Sequence, residues 1–445
     1  MEITNVIKES LEFLKVHNHK QREHYVNRLL DYYNGNNTEQ YIVDKFDLDA
    51  FREVPPYNAN ITKKFINKMS RVYTIGASRN ISERYNQLTS LKDTKMKHIE
   101  RMTRLIGSVA VRIMMTEENE NPYFDYQPIY YFHPFFGEDP FKPIALSYPL
   151  MNYTEDVSDT SEMMYIHWNT ETYTIFNEDG NIIKEDVHGY DTLPFAFVHR
   201  EHQTDSFYVE GANDIISANE HINITMTEMQ LGLRFQMFGQ PVVSGADMGS
   251  RQRFGSDVIL ELPTDADYDI KSPSGDIIKV IENVKFQMEL VAQNNHLFVQ
   301  FAQDGGETPS GIALKIKDLE RFEDYQDDLA LWYLYESKMY EIERNIASAF
   351  NIALPETFKI DFKEPDYPMT VQDQIALDVH RLNLNLISEA DLLVEYNKDL
   401  TLEEAEEKVA RNKQKNKKQS IFSQARQEIE GTTEVQPGPT NEQQD

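Results

Sequence analysis

Ala302-Gln303-Asp304-Gly305-Gly306-Glu307-Thr308-Pro309-Ser310-Gly311 interrupts two helical stretches, and its reading decides the fold. Before it, residues 277–301 carry the three- and four-residue apolar spacing of a helix. After it, Ile312, Ile316, Leu319, Phe322, Leu329, Trp332, Met339, Ile342 and Ile346 recur at threes and fours or their sums as far as Phe350. At 1.5 Å per residue that second helix is about 60 Å long. This exceeds an ordinary globular helix and suits one that lies along neighbours in a larger assembly. The paired glycines open backbone conformations closed to other residues, so the segment reads as a hinge between two helices.

Upstream of residue 277 the character of the chain alternates. Residues 211–238 hold no proline and one internal glycine, with Ile215, Ile216, Ile222, Met226, Met229, Leu233 and Phe238 at mostly helical spacing. Gly239, Gln240 and Pro241 stop that helix, and residues 241–276 read as a small insertion with one β-like run, Val258 to Leu262. Residues 122–199 are rich in aromatic and β-branched side chains and alternate in Met164-Tyr165-Ile166-His167-Trp168. With the turn Asn177-Glu178-Asp179-Gly180-Asn181 they predict an antiparallel sheet. Residues 94–104 predict a helix entering a buried strand after Gly107, and the chain before Tyr73 reads as helices broken at Tyr33-Asn34-Gly35. The fold class is α+β.

Downstream, Phe358 to Phe362 reads as a strand, and Gln372–Leu386, Ser388–Asn397 and Thr401–Arg411 read as successive helices. Ser388 with Asp391 and Thr401 with Glu404 have the spacing of N-terminal caps. Lys408 to Lys418 is basic, and residues 419–445, rich in Gln, Glu and Thr, read as a disordered tail.

Composition bounds the function. The 445 residues include 40% apolar side chains, with 24 Tyr and 24 Phe, enough for a packed core and large interfaces. There is no cysteine, so neither disulfides nor thiolate metal sites exist. No apolar run reaches membrane length, and the first residues lack the uninterrupted apolar segment of a signal peptide. The net charge of −30, from 74 acidic and 44 basic residues, points away from tight DNA binding, which is driven by cationic neutralisation of phosphates.

Searches for chemistry return little. Gly306 and Gly311 have the spacing that opens a phosphate loop, but Ile312 stands where the lysine belongs and no parallel strand precedes. None of the twelve histidines falls in a His-Glu-x-x-His pattern, and the Asp pairs near Asp265 lack a calcium loop's glycine and glutamate. No catalytic, cofactor or metal residue is assigned, and an enzyme with a dispersed site stays as one alternative.

The order of these parts resembles the tailed-bacteriophage portal proteins, especially those of phages infecting Gram-positive hosts. Tyr208-Val209-Glu210-Gly211-Ala212-Asn213-Asp214-Ile215 is similar to the entry of that family's first stem helix, and Pro309-Ser310-Gly311-Ile312-Ala313-Leu314-Lys315 to the entry of its long helix. Leu193-Pro194-Phe195-Ala196-Phe197, Tyr32-Tyr33-Asn34-Gly35 and Ile387-Ser388-Glu389-Ala390-Asp391 have counterparts too, so the likeness spans about residues 20–415.

The resemblance implies an elongated multi-domain portal fold: wing 1–210, stem helices 211–240 and 277–301, clip 241–276, tunnel loop 302–311, long wing helix with return strand 312–370, crown 371–418, tail 419–445. It implies a ring of about twelve copies at a capsid vertex, assembled in the host cytoplasm, through which double-stranded DNA passes. Implied partners are the terminase motor, the capsid or scaffold protein and the head-completion or tail adaptor proteins, with no cofactor and no membrane.

Gln303, Asp304, Gly305, Gly306, Glu307 and Thr308 would face DNA. Rings of Asp304 and Glu307 would repel phosphates over a Debye length of about 8 Å. Arg251 and Arg253 in the clip have two readings, partner contact and salt bridges to a neighbouring copy. Lys413, Lys415, Lys417 and Lys418 read either as a contact to packaged DNA or as a solvated helix end. A different virion adaptor or scaffold protein is the other alternative.

Overall fold

The computed structural model describes residues 3–15, 17–46, 55–118, 121–150, 163–238, 240–245, 267–271, 276–297, 299, 319–363, 371–397 and 400–430. It forms two compact units, residues 1–305 with 317–365, and residues 306–316 with 366–445.

The first unit begins with helices α1 (Ile3–Lys15), α2 (His17–Asn34), α3 (Thr38–Val43), α4 (Ile61–Met69) and α5 (Val72–Ile75). Gly35 closes α2 at φ +79°, where its N–H returns to the Asp31 carbonyl. Strand β1 (Ala77–Arg79) and helices α6 (Glu83–Leu88) and α7 (Lys92–Ile106) follow. Gly107, at φ +93°, turns the chain from α7 into β2 (Ser108–Glu118).

Where the alternating text predicts an antiparallel sheet, the structure holds two. One has the order β3-β2-β9, with β3 at Asn121–Ile129 and β9 at Phe195–His199. The other is a meander β4-β5-β6-β7-β8, running from His133–Phe136 through Pro143–Leu150, Met164–Trp168 and Thr172–Asn177 to Ile182–Val187. Strand β9 leaves the meander because its apolar residues pack on both sides. Ala196 and Val198 enter the main core, while Phe195 joins Trp168, Tyr148 and Phe132 between the sheets. The predicted turn is a side-chain turn: Asn177 Oδ1 accepts from the N–H groups of Asp179 and Asn181 at 3.1 and 2.9 Å.

Helix α8 (Asn213–Phe238) leads into β10 (Gln240–Ser244), which pairs antiparallel with β11 (Asp267–Lys271) and returns as α9 (Ile277–Asn294). Helix α9 stops short of the predicted 301. Asn294-Asn295-His296 takes the chain out of the helix, with His296 at φ +50°, and Leu297 is buried. The long helix α10 is described over Leu319–Ala349, and its return strand β12 (Ile360–Phe362) pairs with β1. Met339, Ile346 and Trp332 of α10 lie at the centre of the main core, against α5, α7, β2 and β9.

The second unit holds α11 (Val371–Asn383), α12 (Glu389–Tyr396) and α13 (Leu402–Glu430). Ser388 and Asp391 form a full capping box, and Glu404 accepts from the Thr401 N–H at 3.0 Å as the spacing predicted. Helix α13 overrides the predicted boundary at 418. Residues 419–430 are poor in apolar side chains, yet no glycine or proline interrupts them before Gly431.

Candidate functional site: helix pair and brace

Two features of the first unit bear on function, a paired helix arm and the brace that fixes the long helix behind it. The arm is α8 and α9, antiparallel and closed at one end by the β10–β11 ribbon. At the other end Asn295 donates to Asp214 Oδ2 at 2.8 Å. Helix α8 is tied inward by a polar ladder at every fourth residue. Asn219 donates to Thr62 Oγ1 at 3.0 Å, Asn223 exchanges two bonds with the Ala59 backbone, and Thr227 Oγ1 accepts from the Tyr57 N–H at 2.9 Å. Glu220 adds ion pairs to Arg28 and Lys45.

Helix α9 is anchored through Val284 and Ala292 alone among its buried residues. Four of its other apolar side chains are left exposed: Ile278 is 68% exposed and Phe286 62%, and Ile281 and Leu290 are exposed as well. Large apolar side chains exposed along one helix call for a cover that the described residues do not supply.

The brace is a buried ion network that sequence reading missed. Lys92, Glu336 and Glu343 have no solvent exposure. Lys92 Nζ lies 2.9 Å from Glu336 and 2.7 Å from Glu343. Arg79 reaches Glu336 at 2.5 Å and Asp93 at 2.6 Å. The hydroxyls of Tyr85 and Tyr126 donate to Glu343 at 2.6 and 2.8 Å, and that of Tyr73 to Glu336 at 2.8 Å. Burial alone would raise the Glu336 carboxyl, but Lys92 and Arg79 hold it at about 2. At the other end of α7, Arg104 pairs with Asp328. Asp328 is thereby enclosed, while Glu323 and Asp327 of the same helix are exposed.

Two serine–histidine contacts lie in the interior. Ser108 Oγ accepts from the Val209 N–H at 2.8 Å and meets His199 Nδ1 at 2.9 Å; Ser147 Oγ lies 2.7 Å from Ser10 and 2.9 Å from His167. Both serines are fully buried, so a substrate carbonyl cannot reach either hydroxyl. The clefts nearby, of about 470 and 440 Å³, mix apolar side chains such as Phe195, Leu331, Ile3 and Phe135 with polar ones such as Glu201, Lys338 and Glu171. A third, of about 510 Å³, holds charges that pair with one another, Arg104 with Asp328 and His296 with Asp324. Among the described residues no three metal-ligating side chains converge, and no helix is long and apolar enough to cross a membrane.

These buried groups set the pH response. Burial depresses His167 and His199 to about 4, so stability is present above 6.5 and is lost as pH falls towards 4. At pH 5 each histidine costs about 2 kcal/mol relative to neutral pH. Glu100 has the opposite sign. It accepts the Val72 and Tyr73 N–H groups at 2.9 and 3.0 Å, but burial outweighs those bonds and raises it to about 7. Its contribution is present below about 4.5 and is lost as pH rises through 7. Between pH 7 and 5 the E100Q variant is therefore expected to lose about 2 to 3 kcal/mol more than the parent. Urea unfolding of both proteins at the two pH values checks this; equal losses would contradict it.

The residues expected to face DNA, Gln303 to Thr308, and the clip arginines Arg251 and Arg253 lie outside the described residues. Of the lysines on α13, Lys413 lies 2.9 Å from Glu389 with its side chain still largely exposed. Lys415 is exposed, and the side chains of Lys417 and Lys418 lie outside the described residues.

No protein-family model and no curated protein matches the chain. Among solved structures, a chain from the virion of a native gene transfer agent particle is similar at a TM-score of 0.41 and 9% identity, covering 74% of this chain and 87% of that one. A chain from the neck of an empty gene transfer agent particle, computed with C6 symmetry, is similar at 0.36 and 11% identity, covering 75% and 87%.

Proposed function

We propose that this chain is the subunit of a phage portal: a ring of about twelve copies at the capsid vertex, through which double-stranded DNA is packaged and ejected. The observation that carries the reading is the α8–α9 arm, an antiparallel helix pair whose outer apolar residues Ile278, Ile281, Phe286 and Leu290 have no cover among the described residues. Exposed apolar clusters of this kind mark protein interfaces, and in a closed ring each copy covers the next. On this reading α8 and α9 are the stem, residues 241–276 are the clip, and 302–311 form the tunnel loop. The first unit's sheets and α10 form the wing, and the second unit is the crown.

In the proposal Asp304 and Glu307 repel DNA from the narrowest point, with Gly305 and Gly306 giving the loop its freedom. Arg251 and Arg253 meet the terminase motor and later the head-completion or tail adaptor proteins. The ring assembles in the host cytoplasm with capsid or scaffold protein and stays in the virion.

The test is sedimentation velocity on the parent and on an I278D/F286D variant. The parent is expected to sediment as a large oligomer, and the variant as monomer or small fragments of the ring with unchanged circular dichroism. Equal assembly of the two would overturn the role given to the arm.

A further inference from the structure

Charge in the first unit is unevenly divided. Residues 60–104 hold eleven of the chain's 44 Lys and Arg but only three of its 74 acids, Glu83, Asp93 and Glu100. The brace takes Arg79 and Lys92, Arg104 pairs with Asp328, and Lys95 lies 2.9 Å from Asp125. Lys63 and Lys64 on α4, with Lys97 and Arg101 on α7, have no carboxylate of the described residues within ion-pair distance. The nearby acids are engaged elsewhere: Asp93 with Arg79, Asp31 with Tyr41 and Asn37, and Glu100 in the interior. Helices α4 and α7 pack against each other and against α2. Lys63 lies 5.6 Å from the centre of the Tyr33 ring of α2, and Arg101 lies close to the hydroxyl of that tyrosine. Lys97 stands one turn before Arg101 on the same side of α7.

The opposite charge gathers on the β7–β8 hairpin, where residues 171–191 hold six acids and one cation, Lys184. Strand β8 is an outer strand of the meander, and all six of its residues are exposed, Ile183 and Val187 included. Native proteins usually pair, cover or charge such an edge. Glu171, Asp179 and Glu185 stand exposed around it. No described ion pair joins this hairpin to α4 or α7. Its turn at Gly180 rests on Ile7 and Leu11 of α1, so one copy leaves both charged surfaces unmatched.

We infer that the α4–α7 cations of one copy of this chain seat the acidic β7–β8 hairpin of another copy. Complementary surfaces at two different places on one chain give a head-to-tail contact, which closes into a ring where the rotation permits. The net charge of −30 does not forbid it. At about 0.15 M salt, charges more than about 8 Å apart are largely screened, so the facing groups decide. Nucleic acid is the poorer fit. A duplex carries one charge per about 1.7 Å along its whole length and would run from the cations onto an otherwise acidic chain, whereas the hairpin brings its carboxylates to one spot. Ile183 and Val187 also gain cover in the hairpin contact. The inference goes beyond the channel reading, since it uses neither the α8–α9 arm nor a pore and adds a second contact between copies.

The experiment is sedimentation velocity at about 0.15 M salt on the full chain, on K63E/K64E/K97E, on E171K/D179K/E185K, and on an equal mixture of the two variants, with circular dichroism of each. In either variant alone like charges face each other, and the apparent dissociation constant of assembly is expected to rise at least about tenfold. In the mixture every reversed face meets a reversed hairpin and every parental face a parental hairpin, so assembly is expected to return. A variant that had merely lost its fold would not be rescued this way. A monomeric parent, parent-like assembly of either variant, or a mixture no better than its components would each overturn the inference. So would a DNA duplex that binds the parent and is lost in K63E/K64E/K97E while assembly is unchanged. Electron microscopy separates the two readings: rings in the parent and in both variants alike sink this inference alone, and charge-dependent assembly into open chains without a central hole sinks the channel reading alone.

Discussion

Replacing Lys92 with methionine is expected to lower the unfolding free energy by about 3 to 5 kcal/mol, the cost of leaving a buried carboxylate without its cation. Glu336 keeps Arg79, but Glu343 retains only the hydroxyls of Tyr85 and Tyr126. Those tyrosines are themselves held protonated by burial and by the neighbouring carboxylates, so they remain donors rather than compensating charges. A K92M/E343Q double variant removes both charges together and is expected to recover at least about 2 kcal/mol of coupling. The brace matters for function because it fixes α10 against α7, β1 and β3 along two of its turns. Urea unfolding followed by circular dichroism reads both variants. A K92M loss below about 1 kcal/mol, or strictly additive losses in the double variant, would show that the network is not a unit.

Gly211→Ala is expected to cost more than about 3 kcal/mol, at the upper end for single substitutions. A Cβ there would sit 2.1 Å from the Leu105 carbonyl oxygen and 2.8 Å from the Ile106 carbonyl carbon. Neither is the movable end of a side chain. The same crossing is bonded through Ala212 N–H to Leu105 O at 2.9 Å, and the Gly211 N–H donates to Tyr25 at 2.9 Å. On its other side Gly107, at φ +93°, passes as close to the Val209 carbonyl. The crossing sets where α8 leaves the body of the first unit, so a shift here moves the whole arm. Gly232→Ala is the contrast. It lies within α8 with nothing inside 4 Å, and removing its backbone freedom is expected to stabilise by about 0.5 to 1 kcal/mol. Thermal and urea unfolding compare the two; similar effects would contradict the steric account.

That glycine shows how far the sequence can be read. The phrase Tyr208 to Ile215 marked a helix entry, and the helix does begin at Asn213, but the reason for Gly211 is a neighbour more than a hundred residues upstream. The long helix and the caps at Ser388 and Thr401 were legible because each depends on residues three or four apart. The brace was not: Lys92 and Glu343 are separated by 251 residues and look, one by one, like ordinary surface charges. The β10–β11 ribbon was missed for a similar reason, since Gln240–Ser244 and Asp267–Lys271 are short, mix polar with apolar residues and pair only across 22 intervening residues. The end of α9 had a signal, Asn294-Asn295, that apolar periodicity outweighed.

The most direct measurement is electron microscopy of the purified full chain. The account predicts closed rings in axial view, with a central hole wide enough for a DNA duplex and the α8–α9 arms of adjacent copies lining it. A compact monomer at every concentration and salt condition, or an oligomer without a central hole, would contradict it.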